Sequence, residues 1–235
     1  MHKFAGNGVT SILKLLVSYN ANIYYIDMTG NTPLMLAIKE DRESAVDFLI
    51  RGTEINISNR DGESALHISA ELYQPTTTSL LLEHGADVNA QSLDDETALH
   101  VASRRNNLAA AKLLLDRGAD NRIRNKYKGK KDETALHMAC RQQSIPMVDL
   151  LLSYGAEIEA LDAKARTPLH LVARWGKKRT VRAILAPATE SDCASERDSS
   201  PAQELSLDQS ALPLYLLLLR TKSERSRWQD TLRIG

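Results

Sequence analysis

Thr97-Ala98-Leu99-His100 and Thr134-Ala135-Leu136-His137 are the same tetrapeptide written twice. Three variants flank them: Thr32-Pro33-Leu34-Met35, Ser64-Ala65-Leu66-His67 and Thr167-Pro168-Leu169-His170. Their first residues step by 32, 33, 37 and 33 positions. A period in the low thirties means a stack of small supersecondary units, each too small to bury its own apolar face. Such stacks make surfaces for binding.

The register extends well beyond the tetrapeptide. After each string the pattern predicts a helix of about two turns, as over 98–105, then a break. A second amphipathic helix follows and ends in Leu-Leu, as over 109–116 and 147–153. Gly85-Ala86, Gly118-Ala119 and Gly155-Ala156 come next, with glycine placed to end the helix in left-handed geometry. Asn20 holds that place in the first unit, being the next-best residue for positive φ. A polar turn such as Asp87-Val88-Asn89-Ala90 leads into the next string, with Asn89 read as a structural turn residue.

This whole register resembles the ankyrin repeat, over roughly residues 2–187. The resemblance implies an all-α solenoid of helix–turn–helix units with β-turn tips, about six in number, the first truncated. It also implies that Thr and His tie neighbouring turns together at the start of each first helix. By position that role falls to Thr97 with His100, Thr134 with His137, Thr167 with His170, and Ser64 with His67. Met35 replaces His in the second unit, so its tie should be missing.

The chain divides into a repeat domain over 1–188, with units at about 1–26, 27–58, 59–91, 92–124, 129–161 and 162–188. A Ser-, Asp- and Glu-rich stretch over 189–209 reads as a flexible linker. Residues 210–235 form an apolar and basic segment, either a degenerate seventh unit that caps the stack or a segment that docks on the sixth. The third unit's second helix carries Thr76, Thr77 and Thr78, which cost about 0.5 kcal/mol each in helix propensity and make this the weakest unit.

Composition narrows the class. The chain has 235 residues, 26% charged and 43% hydrophobic, with aromatics at 5%, so its core must be built from Leu and Ala. Two cysteines cannot make a disulfide framework, and a reducing intracellular compartment is expected, cytoplasmic or nuclear. The longest apolar run, 212–219, is too short to cross a membrane. The balanced net charge conceals a polarity: residues 1–100 carry 6 basic and 14 acidic groups, and residues 101–188 carry 18 basic and 8 acidic. Position along the chain maps onto position along a stack, so one end should be acidic and the other basic.

No chemistry is expected. Five of the six histidines occupy the tetrapeptide position or its equivalent, a repeat apart, on the order of 10 Å, and cannot converge on a metal. Cys140 sits in a small-residue slot shared with Ser103 and reads as a buried, inert thiol. The chain has no phosphate loop or nucleophile elbow. No enzyme activity, cofactor or metal is therefore expected.

The expected activity is protein binding by a monomeric scaffold. The resemblance places contacts in the concave groove, at Arg60 and Asp61 in the third unit and Leu93, Asp94, Arg104 and Arg105 in the fourth. Arg141 and Gln142 follow in the fifth, and Lys164, Arg166, Arg174 and Trp175 in the sixth. The arginines make a basic stripe ending at a Trp, residue types that dominate interface hot spots, which suits an acidic peptide or surface. An alternative partner is nucleic acid, or a role in the nucleus, through an enlarged basic turn carrying Arg122, Arg124, Lys126, Lys128, Lys130 and Lys131. A third reading is a piece of a larger multidomain protein whose catalytic part lies elsewhere, because the first unit starts inside its tetrapeptide.

Overall fold

The structure is a computed structural model that describes residues 1–52, 54–126 and 132–173. Eleven short helices follow one another among these residues: α1 (His2–Gly6), α2 (Thr10–Ser18), α3 (Pro33–Lys39), α4 (Glu43–Ile50), α5 (Ala65–Glu71), α6 (Pro75–Glu83), α7 (Ala98–Arg105), α8 (Leu108–Asp116), α9 (Ala135–Gln142), α10 (Ile145–Ser153) and α11 (Pro168–Ala173). They form five helix pairs and a further first helix. The first helices α1, α3, α5, α7, α9 and α11 pack in sequence as one layer, and α2, α4, α6, α8 and α10 line up behind them.

None of these helices reaches the length at which an isolated helix holds in water, so packing and caps must make them. Leu34, Leu66, Leu99 and Leu136 of the first helices are fully buried, as are Leu49, Leu81, Leu114 and Leu151 of the second. These leucines belong to one cluster of buried residues that runs from unit to unit.

Termini are set by side chains. Ser64, Thr97 and Thr134 cap α5, α7 and α9 in a reciprocal arrangement: the hydroxyl accepts from the histidine backbone N–H, and the histidine ring accepts from the cap's own N–H. Thr32 accepts from the Met35 backbone N–H in α3. First helices end in residues of positive φ at Gly8, Asp41, Tyr73, Asn106 and Gln143, and second helices at Asn20, Gly85, Gly118 and Gly155. Second helices α8 and α10 begin earlier than the apolar pattern predicts, because Asn107 and Ser144 supply N-caps to Ala110 and Met147.

The third pair keeps a full nine-residue second helix despite its threonines. Thr77 and Thr78 face inward, and the Thr78 hydroxyl donates to the Gln74 carbonyl and lies 3.1 Å from the Ser69 hydroxyl. A hydrogen-bonded polar seam thus forms among these inward-facing hydroxyls.

Between pairs the chain folds into a finger. Asp27, Asn59, Ser92, Asn125 and Asp162 each donate a backbone N–H to the carbonyl of Asn31, Glu63, Glu96, Glu133 and Arg166 respectively. In four of the fingers the bases are four positions apart, and in the finger of residues 125–133 they are eight apart. The sequence insertion therefore falls between the paired bases Asn125 and Glu133. Residues 127–131 of that finger, with Lys128, Lys130 and Lys131, lie outside the described residues. So do 174–235, with Arg174, Trp175, the predicted linker and the C-terminal segment.

Candidate partner-binding surface

The finger tips are joined edge to edge. Arg60 N–H donates to the Thr29 carbonyl, Leu93 to Asp61, and Lys126 to Asp94, at 3.1, 3.0 and 2.7 Å. Gly62 shows how close the approach is: a Cβ there would meet the Leu93 backbone nitrogen at 2.5 Å, and its φ is +75°. The side chains at the finger bases hold the turn from within, as Asp27 does by accepting from Thr29 and Asn31 N–H. Burial alone would raise the Asp27 carboxyl, but these hydrogen bonds outweigh it and hold the group below the usual carboxylate range.

Below the tips runs a ladder of histidines. His2, His67, His100 and His137 each bring Nε2 to a carbonyl of the next finger, at Asn31, Glu96, Glu133 and Arg166, over 2.8 to 3.2 Å. Because Thr97 N–H donates to His100 Nδ1, the proton sits on Nε2, which donates to Glu133. Burial pushes the His100 imidazole down to about 4, and lowers His67 and His137 as well. Met35 breaks the ladder at one junction, from the second unit to the third. His170 makes the same bond to Thr167, 2.7 Å from its hydroxyl.

A second set of ties escaped sequence reading. Arg42 Nε donates to the Gly6 carbonyl, Gln74 Nε2 to Ile38, and Asn107 Nδ2 to Ala70. These residues share the N-cap position of their second helices and reach back to the end of the previous first helix. The only signal available was a polar residue, Arg42, Gln74 or Asn107, standing before three of the second helices. Asn56 and Asn89 make a third set, accepting from Asp87 and Asp120 N–H one repeat on. The side chain of Asn89 is thereby engaged in the fold.

The basic stripe is present in order but is not a row of free charges. Arg104 and Arg141 hold equivalent places at the ends of α7 and α9, and each turns back eight residues to its own finger. Arg104 lies 3.2 Å from Glu96, and Arg141 pairs with Glu133. Both carboxylates are buried, and burial raises the Glu96 carboxyl against the pull of Arg104. A buried carboxylate stripped of its partner costs several kcal/mol, about 3–5 in measured cases. These two arginines are thus counterions of the fold. Arg105 pairs with Glu71 of the preceding unit. Arg166, which stands where three of the other fingers carry Glu, pairs with Asp162 at 2.6 Å. Lys164 and Gln142 are exposed.

The basic turn divides in the same way. Lys126 reaches Asp95 of the neighbouring finger at 2.7 Å, which raises its ammonium above the usual lysine value. Arg124 donates to the Leu161 carbonyl at 3.0 Å. Arg122 is exposed on the segment before the finger. Burial pushes the Cys140 thiol up, away from the reactive thiolate.

What remains open is the row of tip side chains. Met28 and Leu93 are 86% and 75% exposed, with Arg60 on the tip between them and Asp61 and Asp94 beside them.

The family model for ankyrin repeats matches the chain in three copies, over residues 1–59, 43–125 and 122–196. No curated protein matches it. Ankyrin repeats generally mediate protein–protein interaction and are typically non-catalytic modules. Among the described residues, no helix is long and apolar enough to cross a membrane. With the capped helix pairs, the joined fingers and the histidine ladder in one register, the chain belongs to the ankyrin-repeat family.

Proposed function

We propose that this chain is a non-catalytic intracellular adaptor. It binds a protein partner through the concave face made by the finger tips and the exposed sides of the first helices. The observation that carries this reading is Met28 and Leu93, large apolar side chains held in water on tips whose backbone is already locked. A surface ordered in advance loses little entropy on binding. Exposed apolar groups on such a surface supply the desolvation energy that a contact needs.

An acidic segment of the partner would lie toward units 4–6, where residues 101–188 carry their excess of basic groups. Lys164, Arg105, Arg104, Arg141 and Arg166 line that end. Four of these five are engaged with carboxylates of the fold, so the acidic segment would share the cations with Glu71, Glu96, Glu133 and Asp162 and read a softened field. The nucleic-acid reading draws on the basic turn instead, where Lys126 and Arg124 are already held by Asp95 and Leu161.

The test replaces tip side chains, not the arginines, because losing Arg141 would remove the counterion of the buried Glu133. The full chain and a Met28→Ser/Leu93→Ser variant are used for affinity capture from lysate with and without nuclease treatment. Proteins retained by the parent and lost by the variant, with unchanged far-UV circular dichroism, are expected. Equal retention by both would remove the tips from the contact surface. Capture abolished by nuclease alone would favour nucleic acid.

A further inference from the structure

A cleft of about 410 Å³ opens between the second and third units, where each first helix turns into its second. Lys39, Asp41 and Glu43 line one side, and Leu72, Tyr73 and Gln74 line the other. It lies at the junction where Met35 interrupts the histidine ladder. Among the described residues no ion pair crosses from α3 or α4 to α5 or α6, whereas Arg105–Glu71 and Arg117–Glu83 bridge the next junction.

Two features of the wall are unusual for a structural turn. Tyr73 has a φ of +59°, at a position that Gly8, Asp41, Asn106 and Gln143 fill in the other units. A bulky residue with positive φ is strained, and such strain persists where neighbours impose it. Here the Tyr73 hydroxyl donates to the Arg105 carbonyl, which fixes the ring while leaving it 56% exposed. The second feature is Gln74, only 9% exposed. Its amide hydrogens are both spent, on the Ile38 carbonyl at 2.8 Å and on Asp41 Oδ1 at 2.9 Å, and its Oε1 has no donor among the described residues.

The lining of the cleft is therefore net negative, with two carboxylates against one ammonium. Asp41 and Glu43 are exposed carboxylates, and the Lys39 ammonium is drawn to Asn31 Oδ1 at 3.1 Å. The first hundred residues carry 14 acidic groups against 6 basic ones. Leu72 and Tyr73 add an apolar, partly aromatic wall. A guanidinium matches each demand: it brings five N–H donors and a permanent charge, it stacks on aromatic faces, and its stem is apolar.

We propose that this cleft takes an arginine side chain of the protein partner, so that the partner segment crossing units 2 and 3 is basic. The proposal rests on the reading of the chain as a protein-binding adaptor. A partner satisfying both ends would carry basic and acidic segments in the order that the stack's polarity imposes.

The test is an NMR titration of the ¹⁵N-labelled full chain with N-acetyl-arginine amide, beside N-acetyl-glutamine amide and N-acetyl-glutamate amide. Saturable shifts of the Leu72, Tyr73 and Thr76 amides and the Gln74 side-chain amide are expected with the arginine compound alone. Glu43→Gln should weaken that binding roughly threefold, as loss of an exposed ion pair does. No saturable shift, equal shifts with the glutamine compound, or full affinity in Glu43→Gln would each overturn the proposal. Absence of arginine binding with intact tip-dependent capture removes the cleft alone. Saturable arginine binding with no tip-dependent capture supports the cleft and removes the tip surface.

Discussion

Mild acid should loosen this stack through its buried histidines. His100 is the clearest case. Its ring is buried between Thr97 and Glu133, and Nδ1 faces the Thr97 backbone N–H at 3.2 Å. A proton added to Nδ1 would point at a donor, and it would bring charge into the core. Burial, the larger cause, pushes its folded value down to about 4, against 6.5 in the unfolded chain, with the neighbouring His67 and His137 adding to the effect. The unfolded chain therefore binds more protons between these values, and stability falls as pH drops through that window. Full stability is present above pH 6.5. The loss attributable to His100 is about 1 kcal/mol between pH 7 and 5.5, and about 3 kcal/mol once both states are protonated. His67 and His137 are displaced the same way. Glu96 works in the opposite direction, because burial raises its carboxyl and protonation then favours the fold. The assay is urea unfolding followed by far-UV circular dichroism at pH 7.0 and 5.5. The midpoint should fall by roughly 0.5 M or more, given urea slopes of about 1–3 kcal/mol per molar. In His100→Gln the whole curve moves to lower urea, while the pH-dependent part shrinks by about 1 kcal/mol. A midpoint that does not move with pH would refute the reasoning, as would a His100→Gln variant that keeps the full pH response.

Two further outcomes test the packing. Gly62→Ala should cost roughly 2–3 kcal/mol, from positive φ and the displaced Leu93–Asp61 hydrogen bond. Gly118→Ala, with the same handedness but nothing within 4 Å of a new Cβ, should cost only about 1 kcal/mol. Equal urea midpoints for the two variants would dismiss the close approach of the fingers. Ser103→Ala should stabilise by about 1 kcal/mol, because the Ser103 hydroxyl is buried with no partner among the described residues and the equivalent position is already Ala70 in the preceding unit. A lower midpoint in Ser103→Ala would show that the hydroxyl has a partner in solution.

Much of the fold was legible because it is local or periodic. The Thr–His cap spans three residues, and left-handed ends are marked by Gly85, Gly118, Gly155 and Asn20, so one-dimensional reading suffices. The missing tie at Met35 follows from the same register. The cross-unit hydrogen bonds of Gln74 and Asn107 were not legible. They depend on how far one unit is offset from the last, and a polar residue before a helix reads equally well as a plain N-cap. The candidate surface was the least legible part. Sequence position put Arg104 and Arg141 on one face, but it could not show that each folds back over eight residues onto a buried carboxylate. A charge counts as free only when nothing in its own fold has claimed it, and that is a three-dimensional fact.

The sequence by itself determined the repeat, its period, the caps, the buried leucines and the acidic-to-basic polarity, since all of these follow from residue type and spacing. Only the tertiary structure decided which charges are counterions, which tip side chains stay in water, and that a strained tyrosine and an unsatisfied glutamine meet in one cleft. Those outcomes depend on how each finger folds back on its own helix and on the offset of one unit on the next, and no local pattern encodes either.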